Sequence, residues 1–441
     1  MTVSIQKTEA ETAIAAHFAD IAGQLPGVDQ VAQTRKAAIA HFESSGLPHR
    51  RIEEWKYTDL RASLKTAYAP TSATPTDVTR AKLDAALGPL ADLDAVCLVF
   101  VDGRFAADLS DRDAVGDGVQ FMPMSEALND TCFAEMHGKP NAAIDGSAVG
   151  ALNTAFMSDG AGLMLSANPP KPLHVVHVNV ASAQSAVTTR NVIAVMDGVA
   201  ATIIESHVTL GQEAVQTNTL THLGIGAGAV VDHIKVQREN DKSTHLSTWL
   251  VDLWTESTYR GFQFTSGAIM ARNQIDIYFK GEGSSADVSG VDLIRGNQHC
   301  DTTMVIDHAE PGCTSRELFK LVLDDEARGV FQGKVVVASK AQKTDGKQMA
   351  QALMLSETCE FDSKPELEIY ADDVACGHGS TCAEIDPDLV FYCRSRGIPE
   401  DVARGLLTES FIAEAIDKVQ DEGIAEALSA LARDWLGEGK N

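Results

Sequence analysis

No apolar run in these 441 residues approaches the roughly 18 that a membrane-spanning helix requires, so no membrane partner is expected. The first twenty residues carry Glu9, Glu11 and Asp20 and no unbroken apolar stretch, which does not read as a secretory signal and points to the cytoplasm. Basic side chains are scarce: 36 Lys and Arg stand against 62 Asp and Glu, a formal charge of -26. Such a field repels nucleic-acid phosphates and anionic lipid, and no local basic patch offsets it. There is no GxxxxGK[ST] phosphate loop, no GxSxG elbow and no HExxH, so no nucleotide is expected on this chain itself. Eight cysteines lie scattered at 97, 132, 300, 313, 359, 376, 382 and 393, unlike a disulfide scaffold. They read as thiols, mostly buried.

What is present is an ordinary folding composition, with 44% hydrophobic residues, in a chain long enough for two or three domains. Residues from about 8 to 66 read as helical: Ile14, Phe18, Ile21 and Ala22 recur at helical spacing, and Val31, Ala37, Ala38 and Phe42 follow before Gly46-Leu47-Pro48. Trp55, Tyr57 and Leu60 interleave with Arg50, Arg51 and Lys56, which at this net charge reads as aromatic packing under snorkelling cations. A Pro/Thr/Ser-rich linker at 68–80 closes an N-terminal helical domain over 1–85.

From about 90 to 392 the texture is mainly β. Runs such as RNVIAVMDG, ATIIESHVTL and GKVVVAS are short and β-branched, with glycine turns mostly every 10 to 15 residues. So long a β region fits a parallel β-helix better than one sandwich, since coils stack on one continuous core. GIGAGAV at 224–230 resembles a dinucleotide loop, but β-type sequence follows where a helix is required. A C-terminal helical domain is expected over 393–441. Pro399, Glu400 and Asp401 suit a helix start, and Val402, Leu406, Phe411, Ala415 and Val419 share one face. A second stripe, Leu428, Leu431, Ala432, Trp435 and Leu436, either docks on its own domain or receives a partner.

The densest chemistry lies between 366 and 398. Asp372, Asp373, Cys376, His378 and Cys382 surround a Gly-rich bend, before an aromatic strand and an Arg-flanked turn. If this segment is extended, Cys376 and His378 project from one face about 7 Å apart, near enough to approach one metal or cluster edge. Two or three ligands fall short of the usual four, so a shared site or a mere turn with incidental thiols both stay open. His299, Cys300, His308 and Cys313 lack zinc-knuckle spacing, and adjacent strand residues face opposite ways. His174, His177, His207, His222, His233 and His245 each read as an isolated, hydrogen-bonded sheet histidine. A β-helix carbohydrate-active enzyme would need clustered carboxylates, and Asp276, Asp287 and Asp292 read as turn and surface residues.

The run VFQGKVVVASKAQKTDGKQMAQALMLSETCEFDSKPELEIYADDVACGHGSTCAEIDPDLVFYCRSRGIPEDVA closely resembles the SufB/SufD family of iron–sulfur cluster assembly proteins, as do RRIEEWKYTDL, RNVIAVMDG, ATIIESH and QTNTLTHL. Gly379 after His378 and the missing N-terminal cysteine cluster favour the SufD branch, while FYCRSRG with Cys393 leans toward SufB. The resemblance implies a right-handed parallel β-helix between helical domains, acting as a non-catalytic scaffold. It implies pairing with SufB through the β-helix ends, and the ATPase SufC carried on the C-terminal helices. There Arg396, Gly397, Ile398, Leu406 and Phe411 are the candidate contacts. It further implies a transient iron–sulfur cluster built at the shared interface, with His378 as the key histidine and possible metal ligand, and Cys376 as the motif cysteine. Cys382 lies outside the pattern. A flavin associated with such complexes has no marked site here. A SufB-like or homodimeric scaffold is the alternative, and the isolated chain could pair with itself.

Overall fold

A computed structural model describes residues 6–71, 78–131, 133, 144 and 146–437. Cys132 and the centre of the expected linker, 72–77, lie outside them. The chain is mainly β. Two sheets, one of ten strands and one of nine among the described residues, run the length of a parallel solenoid. Each coil gives one strand to each sheet, so Leu173 pairs with Ile203 and Ile203 with His233 in unbroken register. The alternation of the strands decides which side chains enter the tube. Along one sheet Ile193, Leu223, Val251, Ile277, Ile306, Val335 and Leu367 lie side by side, coil upon coil. All but the last two belong to one continuous interior cluster. Full burial of one such interior side chain, as at Ile306, is worth about 1.5–3 kcal/mol.

Turns stack as well as strands. Asp197 Oδ1 accepts a hydrogen bond from Ala227 N at 2.8 Å, tying one coil's turn to the next. Gly226 sits so close to that turn that a Cβ would lie 2.6 Å from the Asp197 carboxylate, so a side chain is excluded there.

The outer face of the ten-stranded sheet carries a second apolar surface, and the C-terminal helices Glu400–Ile416 and Glu422–Leu436 cover it. Ile412, Ile416, Leu428 and Leu431 pack on Ile204, Val236, Phe264, Val291 and Val322. Arg295 lies over the Trp435 ring at 3.9 Å. The stripe ending in Trp435 is therefore docked on its own domain.

The N-terminal helices Glu9–Ile21 and Asp29–Ser45 bury Ile14, Phe18, Ile39 and Phe42 against Leu152 and Ala155. Those two belong to a helix, Ala148–Phe156, that interrupts the β region. RRIEEWKYTDL acts as a clasp on the solenoid: Arg272 lies over Trp55 at 3.9 Å, donates to Glu54 O at 2.8 Å and pairs with buried Asp301, which also accepts from Thr58. The aromatic–basic interleave is packing, as its composition indicates.

Two local expectations fail. The aromatic run before Arg394 is a helix, Pro387–Arg394, not a strand. Asp386 caps it by accepting from Asp388 N at 2.8 Å, and Pro387 presets its first turn, so the cap outweighs the β-type side chains. The Gly-rich bend around Cys376 is likewise a regular strand, Ala375–Glu384.

Candidate functional site at the open end of the solenoid

Ala375–Glu384 is the last strand of the ten-stranded sheet, paired along one edge only with Asp345–Met354. On that inner neighbour Gly346, Gln348, Ala350 and Ala352 are buried, with Ala350 and Ala352 in the interior cluster. Their partners in register are Cys376, His378, Ser380 and Cys382, so all four occupy the inward face of the final rung. Among the described residues no further coil covers this rung, and His378 and Cys382 are exposed while Cys376 is half-buried. Cys382, outside the recognised pattern, thus shares the face of Cys376 and His378.

The floor beneath these residues is polar and hollow. A Cβ at Gly346 would lie 3.3 Å from Ser315 Oγ and 3.7 Å from Cys376 Sγ, so the glycine leaves room directly below the thiol. Under His378 come Gln348 and then Glu317 in register, both buried. Gln348 donates to Gly333 O at 3.0 Å, but its own oxygen has no partner, nor does either Glu317 oxygen, among the described residues. Burial pushes the Glu317 carboxyl up to about 8, with Asp287 acting in the same direction. Burial, with the negative charge of Asp345, also raises the Cys376 thiol. The resting site therefore holds a protonated acid and a protonated thiol, and a soft cation would displace the thiol proton to bind sulfur. Glu317 escaped the sequence reading because it lies two coils back in the chain.

The other sequence candidates do not assemble into sites. Cys300 faces the interior, whereas His299 points outward to within 2.7 Å of Thr58 Oγ1. His308 stacks on Phe279 and meets Ser315 Oγ at 3.0 Å, and Cys313 donates to Gly281 O. Asp276, Asp287 and Asp292 are strand residues on separate faces. Asp292 is 1% exposed and bonded to Gln263, Asp276 is half-buried beside Gln274, and Asp287 lies on the outer face near Lys418. They are neither surface turns nor a carboxylate groove. The histidines also correct the sequence reading: His177 and His207 stack at 4.8 Å rather than standing isolated.

Among the candidate partner contacts, Arg396 and Gly397 are exposed, Arg396 lying 3.5 Å over the Tyr392 ring. Ile398 is half-buried and Leu406 is exposed. Phe411 instead packs on the solenoid beside Lys320, which lies 4.5 Å from its ring, so the chain already uses much of its surface. Leu389, Phe391 and Tyr392 on the Pro387–Arg394 helix and Val402, one turn before Leu406, add exposed apolar side chains, Phe391 at 72% exposure.

Residues 177–411 match the family described as SUF system FeS cluster assembly, SufBD core domain, and residues 22–169 match the SufBD protein N-terminal region. The chain belongs to the SufBD family. It is 32% identical over 391 residues to the iron–sulfur cluster assembly protein SufD of Escherichia coli, covering 88% of each chain. A SufBD family protein of Synechocystis is 30% identical over 399 residues, covering 87% of this chain and 86% of the relative. The chain is thus a SufD-like iron–sulfur cluster assembly protein. The boundary of the SufBD core match falls within the Glu400–Ile416 helix, so it takes in the open rung and the exposed patch after it. Among the described residues no helix is long and apolar enough to cross a membrane.

Proposed function

We propose that this chain is a non-catalytic scaffold subunit that builds a nascent iron–sulfur cluster jointly with a SufB-type partner docked on the open end of its solenoid. The observation that carries this reading is the final rung, where Cys376 and His378 face inward from a strand with one unpaired edge. Two donors on an uncovered face make half a site, and an unpaired strand edge is a template for another chain. A neutral imidazole suits iron, and the cluster is cargo rather than a resident cofactor. No nucleotide belongs to this chain; the ATPase SufC would sit on the exposed patch of Leu389, Phe391, Val402 and Leu406.

His378→Ala is expected to leave the complex assembled while lowering cluster yield by roughly tenfold or more, the scale seen when metal-site groups are removed. Reconstitution of all subunits with iron and a sulfur donor measures this, and wild-type yield in the variant overturns the assignment. Deleting the C-terminal helices would be a poor test of ATPase docking, since it strips the apolar face of the ten-stranded sheet. Leu406→Asp is the cleaner probe. Its side chain is 45% exposed, so stability should change by no more than about 0.5 kcal/mol while co-purification of the ATPase falls. Undiminished co-purification of Leu406→Asp would place the ATPase elsewhere.

A further inference from the structure

Far from the open rung, the solenoid interior changes character. The strand register places His177 beside His207, and Glu205 beside Lys235, with His233 on the same inward face. His177, Glu205, His207 and His233 are all at most 5% exposed. One ligand atom each from His177, Glu205 and His207 lies within 4.8 Å of the other two. His207 Nε2 is 2.7 Å from Glu205 Oε1, and His233 Nε2 is 3.5 Å from Glu205 Oε2.

An ordinary hydrogen-bonded core leaves few such groups unmet. Here His177 Nδ1 and His207 Nδ1 have no partner among the described residues, His233 Nε2 has only the 3.5 Å contact to Glu205, and all three rings surround one carboxylate. Surrounding groups hold the rings in place. The Tyr259 hydroxyl lies 3.1 Å from His233 Nδ1, and Thr221 donates to Glu205 Oε2 at 2.7 Å. The Asn191 amide touches His177 Nε2 only loosely, at 3.3 Å. Glu205 thus faces His207 and His233 with its two oxygens. Glu239, 2.7 Å from His245, is a second interior carboxylate, and Lys235 is the cation packed with both. Two carboxylates against one ammonium leave a deficit of positive charge in a sealed interior, where uncompensated charge is costly.

We propose that His177, Glu205 and His207, with His233 as a fourth donor, form an internal site for one divalent first-row transition-metal ion. Two imidazoles and a carboxylate suit zinc, iron(II) or cobalt(II). Binding would draw the donors in to about 3.4 Å apart, as metal–nitrogen bonds of about 2.0–2.1 Å require, and would turn the His177 and His207 rings out of their 9° stack, because an imidazole lone pair lies in the ring plane. The site is distinct from the open rung, and it stabilises the solenoid instead of exchanging cargo.

The test is the metal content of the full-length chain, expressed with zinc or cobalt in the medium and dialysed against a mild chelator. One equivalent of metal should remain in the wild type and in Cys376→Ala/His378→Ala. It should fall roughly tenfold or more in Glu205→Gln and His177→Gln. The cobalt form should show ligand-field bands without a thiolate charge-transfer band, a reading taken on the wild type and so independent of whether the variants fold. A wild type without metal overturns the proposal, as does retention in Glu205→Gln, loss in Cys376→Ala/His378→Ala, or a thiolate band.

Discussion

The two ends of the solenoid are made from the same sheets and finish in opposite ways. At the first end Val96–Val101 is buried at every position and is crossed by the antiparallel strand Arg104–Phe105. The companion sheet is closed there by the antiparallel pair of Val119–Pro123 with Ala161–Leu165. At the last end Ala375–Glu384 has no buried position, and Glu360–Ile369 beside it none either. A natural sheet edge is usually blunted by a turn, a bulge or a cover. One end follows that rule, and the other leaves a strand of small and polar residues in the open. The difference is the one that the proposed docking of a partner on the last end requires.

Side-chain truncation should separate the ends most sharply. Leu98 is fully buried in the first rung, so Leu98→Ala should cost roughly 2–5 kcal/mol. Ser380→Ala on the last rung should change stability by no more than about 0.5 kcal/mol. Denaturant midpoints of the isolated chain measure both. Equal losses would mean that the last rung is packed in the free protein, and the contrast would disappear.

Much of this contrast is legible in the sequence, and the reasons differ by element. The solenoid is legible because β-branched runs and glycine turns recur along the chain. Cys376 and His378 are legible as a pair because a two-residue spacing fixes their common face once the segment is extended. Cys382 follows from the same rule, yet resemblance to the family pattern alone leaves it aside. Glu317 and the histidine cluster are invisible for another reason. Their proximity depends on coil-to-coil register, and no local signal states that His177 stands beside His207 or that Glu317 lies beneath His378. The Pro387–Arg394 helix was missed where its aromatic texture overrode the Asp386-Pro387 start signal.

The smaller and more revealing test concerns the floor of the open end. Glu317 is buried with no hydrogen-bond partner for either oxygen among the described residues, and burial pushes its carboxyl up to about 8 from an ordinary 4.5. Between those values the folded chain keeps a proton that the unfolded chain has released. Linkage then requires stability to fall as pH rises through that window. Its contribution is fully present below the unfolded value and is lost as pH passes about 8. Glu317→Gln keeps the shape and removes the titration. The wild type should therefore lose about 1–3 kcal/mol relative to the variant between about pH 5 and pH 8, at about 1.4 kcal/mol per pKa unit less what local relaxation recovers. Thermal midpoints of both proteins across that range would show converging curves at low pH and diverging ones at high pH. Parallel curves would mean that Glu317 is already paired in the free chain. The open end would then be no softer than the closed one, and its polar floor would owe nothing to an absent partner.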